Sequence, residues 1–266
     1  MSPHAQAGCT ATIVFAAAVY LRGWLHLHKA SDAPIPVWRA ASFLLGLLAI
    51  WVAVASPVSV SDQRMLTAHM IQHLLLMTIA SPMIWLGSPL LAVWNGLPRC
   101  LQNMVLPMIR QPVVARIGTG MTRPAFCWMA ASAALVVWHV PAIFDLGMQS
   151  ETWHVIEQAS FLATGLLYWW PVIQPFRRKS AEPPWTILVY LFLATLPCDV
   201  LSGLLVFSDR VVYPAYLCTP KQAGFSALED QQCAGALMWT CVTVVYLAAG
   251  TILAMGLLSP RGDARI

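Results

Sequence analysis

The stretch Leu66-Thr67-Ala68-His69-Met70-Ile71-Gln72-His73-Leu74-Leu75-Leu76 runs on to Leu86 without one Asp, Glu, Lys or Arg, and it decides how the chain is read. A helix needs ~20 largely apolar residues to cross a bilayer, so the segment predicts a membrane span. Within it, His69 and His73 stand four residues apart. On a helix such residues share a face, with side chains about 6 Å from one another. A polar group at membrane depth is costly unless it turns inward and finds a partner, so the pair marks a function. Two imidazoles at that spacing suit one metal ion or one haem environment.

Composition places the whole chain in the membrane. Of its 266 residues, 59% are hydrophobic and only 10% charged. The mean hydropathy of +0.68 lies beyond that of soluble domains. Besides 66–86, the stretches 9–25, 37–55, 124–140, 153–173, 185–207 and 232–258 come close to spanning length. The expected fold is an all-α, polytopic bundle of about seven transmembrane helices, with residues 1–266 forming a single integral membrane domain. No Lys or Arg precedes the first apolar run, the first being Arg22, so no cleavable signal peptide is expected.

The basic residues sort by loop, which speaks for topology and against nucleic-acid binding. Arg22, Lys29, Arg39, Arg99, Arg110, Arg116, Arg123, Arg177, Arg178, Lys179, Arg261 and Arg265 share one side, leaving Arg64, Arg210 and Lys221 for the other. The positive-inside rule then puts the N-terminus outside and the C-terminus in the cytoplasm. Tryptophans near span ends (Trp24, Trp38, Trp138, Trp153, Trp169, Trp170 and Trp185) read as interfacial belts. The connection 87–123 holds Pro89, Pro98, Pro107 and Pro112 between apolar runs and predicts short helices at the membrane surface. Pro82 and Pro197 fall inside spans and predict kinks whose freed carbonyls are satisfied by neighbours.

With that topology, polar groups gather on the outer side. His69 and His73 lie one to two turns below it, His139 ends the fourth span, and His154 opens the fifth, one turn before Glu157 and Gln158. Asp62, Asp145, Asp209 and Asp230 share that side, and Asp199 lies about two turns down the sixth span. Neutral imidazole suits copper, zinc and iron, whereas thioether sulfur favours Cu(I), and Met65, Met70 and Met77 stand near the pair. There is no CxxC, Walker or GxSxG motif, so thiolate clusters, nucleotide hydrolysis and serine hydrolysis find no support and no enzymatic activity is expected. Cys218 and Cys233 could pair in an extracytoplasmic compartment.

At these residues the chain resembles the CtaG family of cytochrome c oxidase assembly factors, the seven-span membrane type associated with caa-type oxidases. The resemblance rests on His69 to Leu76 with Gly87-Ser88-Pro89, Trp138-His139-Val140-Pro141, and His154 through Phe161 to Trp169-Trp170-Pro171. It continues in Phe207-Ser208-Asp209-Arg210, Tyr213-Pro214-Ala215-Tyr216, Asp230-Gln231-Gln232, Ala234-Gly235 and Met238-Trp239. Members often carry a second histidine where this chain has Gln158, which removes one donor from any ligand set at that position.

The resemblance implies a bacterial plasma-membrane protein that helps mature a haem–copper oxidase, building a copper centre on the outer side with oxidase subunits or other assembly factors as partners. On this reading His69 and His73 are the main copper ligands, and His139 and His154 complete or hand on the site. Asp62, Asp199 and Asp230 orient the imidazoles, with Met70 beside them. The rivals are a b-type haem protein and a metal-free scaffold for oxidase subunits.

Overall fold

The computed structural model describes residues 3–30, 35–56, 64–173, 185–217 and 224–258, and the regular elements among them are all helical. The apolar runs give α1 (Pro3–Ala30), α2 (Val37–Ala55) and α3 (Leu66–Leu86). Prolines cut the following stretch into α4 (Pro89–Gly96), α5 (Arg99–Ile109), α6 (Pro112–Met121) and α7 (Pro124–Trp138). Proline opens α4, α6 and α7, a position where its missing N–H has no intrahelical acceptor to lose. Then come α8 (Pro141–Gln149), α9 (Glu151–Ile173), α10 (Thr186–Phe207), a 3-10 turn over Pro214–Leu217, and α11 (Ala227–Leu258).

Among the described residues, five helices are long and apolar enough to cross a membrane: α1, α2, α3, α10 and α11. The pair α7 and α8, bent by 76°, makes a sixth if it is counted as one span. Two local effects separate this from the seven expected stretches. Alone, α7 has 15 residues, about 22 Å of helix, and Pro141 disfavours a helical Val140. α9 is long enough at 23 residues, but His154, Glu157, Gln158, Ser160 and Thr164 keep it less apolar than the other five.

The middle of α3 is not α-helical. Leu75–Ala80 forms a π-helical turn, just before Pro82, which cannot donate to the carbonyl of residue 78. The loosened carbonyls are met by side chains. Ser81 Oγ donates to the Leu76 carbonyl at 2.7 Å, and Trp169 Nε1 from α9 donates to the Met77 carbonyl at 3.0 Å. This fulfils the rule that backbone at membrane depth is satisfied internally. Gly165 permits the approach: a Cβ there would stand 2.6 Å from Ser81 Oγ and 2.9 Å from Met77 Cα.

Two sequence expectations gain detail. Trp169 and Trp138 are buried inside the bundle and not in an interfacial belt; Trp138 Nε1 donates to Ser160 Oγ at 2.7 Å, and each indole N–H thereby finds an acceptor. The connection 87–123 does form short helices, and α4 lays one side against α1 while its Leu90 and Leu91 stay exposed. Its Ala92 is fully buried, and Gly23 of α1 and Gly96 of α4 bring the two backbones into direct contact. Tyr20 of α1 donates to the Gly87 carbonyl at 2.7 Å and ties α1 to the end of α3. The main apolar core lies where α3, α7, α9, α10 and α11 meet.

Candidate metal centre

α9 buries His154, Glu157, Gln158, Phe161, Gly165, Tyr168 and Val172, spaced three or four apart along one stripe. α3 buries Leu66, His69, Met70, Gln72, His73 and Leu76. Packed together by the Gly165 contact, these faces put two imidazoles against one carboxylate. His69 Nε2 and His73 Nε2 are 2.7 Å apart. Glu157 Oε1 lies 3.4 Å from the first and 3.2 Å from the second. All three side chains are almost completely buried, with relative exposures of 1%, 6% and 2%. Phe144 packs on the His69 ring at 4.9 Å and Phe161 on the His73 ring at 4.2 Å, which excludes water from both sides.

This triangle has the dimensions of a metal site. Donors around a tetrahedral ion with bonds of about 2.0–2.1 Å stand roughly 3.3 Å from one another. Both imidazole–carboxylate edges already match that value, and the imidazole–imidazole edge has to open by roughly half an ångström. The donor set, two imidazoles and one carboxylate, suits zinc, copper(II) and iron(II). The other ring nitrogens, Nδ1 of His69 and Nδ1 of His73, are both buried without a hydrogen-bond partner. A buried carboxylate needs a compensating positive charge, which a proton on an imidazole or a cation between the three would supply.

The remaining histidines sit around the triangle. The His154 ring stacks on His69 at 5.7 Å between centroids. Its Nε2 lies 3.2 Å from Gln158 Nε2, and that amide donates to Gln72 Oε1 at 3.2 Å. Gln158 thus joins the site through hydrogen bonds at the place where the resemblance leads one to expect a histidine. His139 caps α7, where Nδ1–H donates to the Leu135 carbonyl at 2.7 Å. That hydrogen bond fixes the tautomer and leaves Nε2 as a bare lone pair. His139 Nε2 is buried and has no hydrogen-bond partner, and His139 lines, with His73, a cavity of about 40 Å³ next to the triangle.

Two of the acids expected to orient the imidazoles, Asp230 and Asp199, go elsewhere. Asp230, at the start of α11, accepts from the Leu66 N–H at 2.6 Å, the Thr67 N–H at 3.2 Å and Thr67 Oγ1 at 2.6 Å. It caps the N-terminus of α3, where a carboxylate also complements the helix dipole, and acts on the histidines through the helix that carries them. Next to it, Gln231 accepts from the Val212 N–H at 2.7 Å and donates to the Arg210 carbonyl at 3.2 Å, fixing the turn that leads to Tyr213. Tyr213 in turn donates to the His139 carbonyl at 3.1 Å. Asp199 lines a separate groove between α10 and α11, and Met70 lines the cavity. Asp62 and Cys218 lie outside the described residues, and Cys233 is exposed.

The residue that sequence reading did not single out as a ligand is Glu157. Its signal was present: an acid inside a span, three residues after His154 and therefore on the same helix face. What the sequence lacked was the rotational setting of α9 against α3.

A family model described as "Cytochrome c oxidase caa3 assembly factor" matches residues 18–259. Two curated relatives are similar over 255 residues at 23% identity: the uncharacterized proteins Mb0105 of Mycobacterium bovis and MT0111 of Mycobacterium tuberculosis. Each alignment covers 93% of this chain, and the chain spans 38% of the length of either relative. No solved structure matches the chain. With nearly the whole chain matched, this protein belongs to the cytochrome c oxidase caa3 assembly factor family.

Proposed function

We propose that this chain serves the maturation of a haem–copper oxidase by holding a copper ion between His69, His73 and Glu157, and that it is not an enzyme. The observation that carries this reading is the buried triangle itself, whose three ligand atoms all lie within 4.8 Å of one another. His154 and Gln158 stack on and brace the imidazoles, and Asp230 fixes the helix that presents them. Bound there, copper would be held out of water and delivered as a bound ion in place of a free one. The partners are an oxidase subunit or another assembly factor meeting the end of the bundle where α3 and α9 begin.

The topology proposed is seven spans with that end facing outward, the C-terminus in the cytoplasm, and the bacterial plasma membrane as location. The distribution of Lys and Arg supports it, and so does the packing of the bent α7–α8 pair and of α9 among the five long apolar helices. A haem fits poorly. No macrocycle passes between two Nε2 atoms 2.7 Å apart on one helix, and the cavity next to them has a volume of about 40 Å³.

The direct test replaces His69 and His73 together by Asn. Protein level in the membrane should stay near normal, because apolar spans and helix packing hold the fold. Oxidase activity should fall, with partial recovery on adding copper. Normal oxidase activity at normal protein level would exclude the copper-ligand role, and a loss accompanied by a missing Soret band would favour haem.

A further inference from the structure

The cavity next to the triangle has donors of a different kind. It lies between α3, α7, α10 and α11, and its lining includes Met70, Met77, Met238 and Cys198, three thioethers and one thiol. Met70, Met238 and Cys198 are buried to 4% exposure or less. Met and Cys are soft donors that select Cu(I)-like ions over harder divalent ones. Methionine commonly fills irregular core gaps, so sulfur alone would say little. The second observation is His139. Its Nδ1–H is committed to the Leu135 carbonyl, its Nε2 is buried with no hydrogen-bond partner, and the residue lines this cavity. A cavity of about 40 Å³ has room for more than one water-sized body, hence for one ion without repacking. His73 belongs both to the triangle and to the cavity wall, so the two places share a boundary.

We infer that this cavity is a second metal site, for a soft monovalent ion of the Cu(I) class, ligated by His139 Nε2 and by sulfur from among Met70, Met77, Met238 and Cys198. It deepens the copper-handling reading above and rests on it for the identity of the natural ion. The two sites divide by softness: nitrogen and oxygen donors in the triangle, nitrogen and sulfur donors in the cavity.

Ag(I), a closed-shell soft ion, is the probe. Full-length protein in lipid nanodiscs is titrated with Ag(I) and read by native mass spectrometry and by X-ray absorption at the silver edge. The wild type should hold one tightly bound Ag(I) with sulfur neighbours. Glu157→Gln, which disables the triangle, should keep it. Met77→Leu with Met238→Leu, a swap that roughly conserves volume, should weaken Ag(I) binding at least tenfold. Absence of bound Ag(I) in the wild type, a silver spectrum without sulfur, or loss of Ag(I) in Glu157→Gln overturns the inference. The wild-type spectrum decides the matter even if the double variant fails to fold. A parallel Cu(II) titration read by electron paramagnetic resonance separates the two readings: no Cu(II) signal from the triangle, with Ag(I) still bound through sulfur, sinks the triangle and leaves the cavity.

Discussion

The end of α3 and α9 and the α5–α6 hairpin reverse each other. At the first, His69, Gln72, His73, Glu157 and Gln158 lie buried inside the bundle. In the second, neither helix buries a single residue, and Met104, Met108, Ile109, Val113 and Ile117 are exposed alongside Arg110 and Arg116. In a soluble protein this would be an inverted molecule. In a bilayer the solvent itself is apolar, so hydrophobicity does not drive helix against helix, and close packing and polar contacts do. Burial in this chain therefore marks where helices must hold a fixed geometry. The polar end is packed on all sides, and the basic hairpin leaves its apolar and basic side chains exposed, as suits an interface.

The comparison can be broken first at its hinge. Gly165→Leu would force a side chain into Ser81 and the Met77 backbone. It should destabilise the bundle by about 1–3 kcal/mol or more, seen as a lower unfolding midpoint and less protein in the membrane. Unchanged stability would show that the α3–α9 contact does not set the site. Next, Glu157→Gln keeps size and removes charge. Affinity for copper should fall roughly 10- to 100-fold, the range seen when even a supporting partner of a metal ligand is lost, with unfolding behaviour nearly unchanged. A metal affinity equal to wild type would remove Glu157 from the site.

Much of the polar end was legible in sequence. An i, i+4 histidine pair inside an uncharged span can hardly be placed except inward, and Pro141 marked the break that leaves His139 at the end of α7. Two things were hidden. Asp199 and Asp230 looked alike as acids near one face. Only the rotation of α10 and α11 sends one into an outer groove and the other onto the N-terminus of α3. Those helices are apolar nearly all round, so periodicity gives no rotational mark. Glu157 was hidden for the related reason that its partner surface depends on Gly165 and the π turn, features of two helices jointly. Trp138 and Trp169 read as belt residues because position along a span shows depth and not direction.

Smaller effects sharpen the contrast. Asp230→Ala should cost about 1 kcal/mol, as loss of a cap does, and should loosen the start of α3, measured as faster hydrogen exchange at Leu66 and Thr67. Equal exchange would mean that the cap does not hold the site helix. Arg110→Gln with Arg116→Gln on the hairpin should shift stability by no more than about 0.5 kcal/mol and leave copper binding untouched. A change in copper binding there would show that the two regions are coupled.

The most direct measurement is the copper content and Cu(II) paramagnetic resonance spectrum of three purified chains: wild type, Glu157→Gln, and His69→Asn with His73→Asn. The account predicts one Cu(II) per wild-type chain with nitrogen hyperfine structure from imidazole, weakened in the first variant and absent in the second. An identical spectrum in all three, or no copper signal in the wild type, would contradict it.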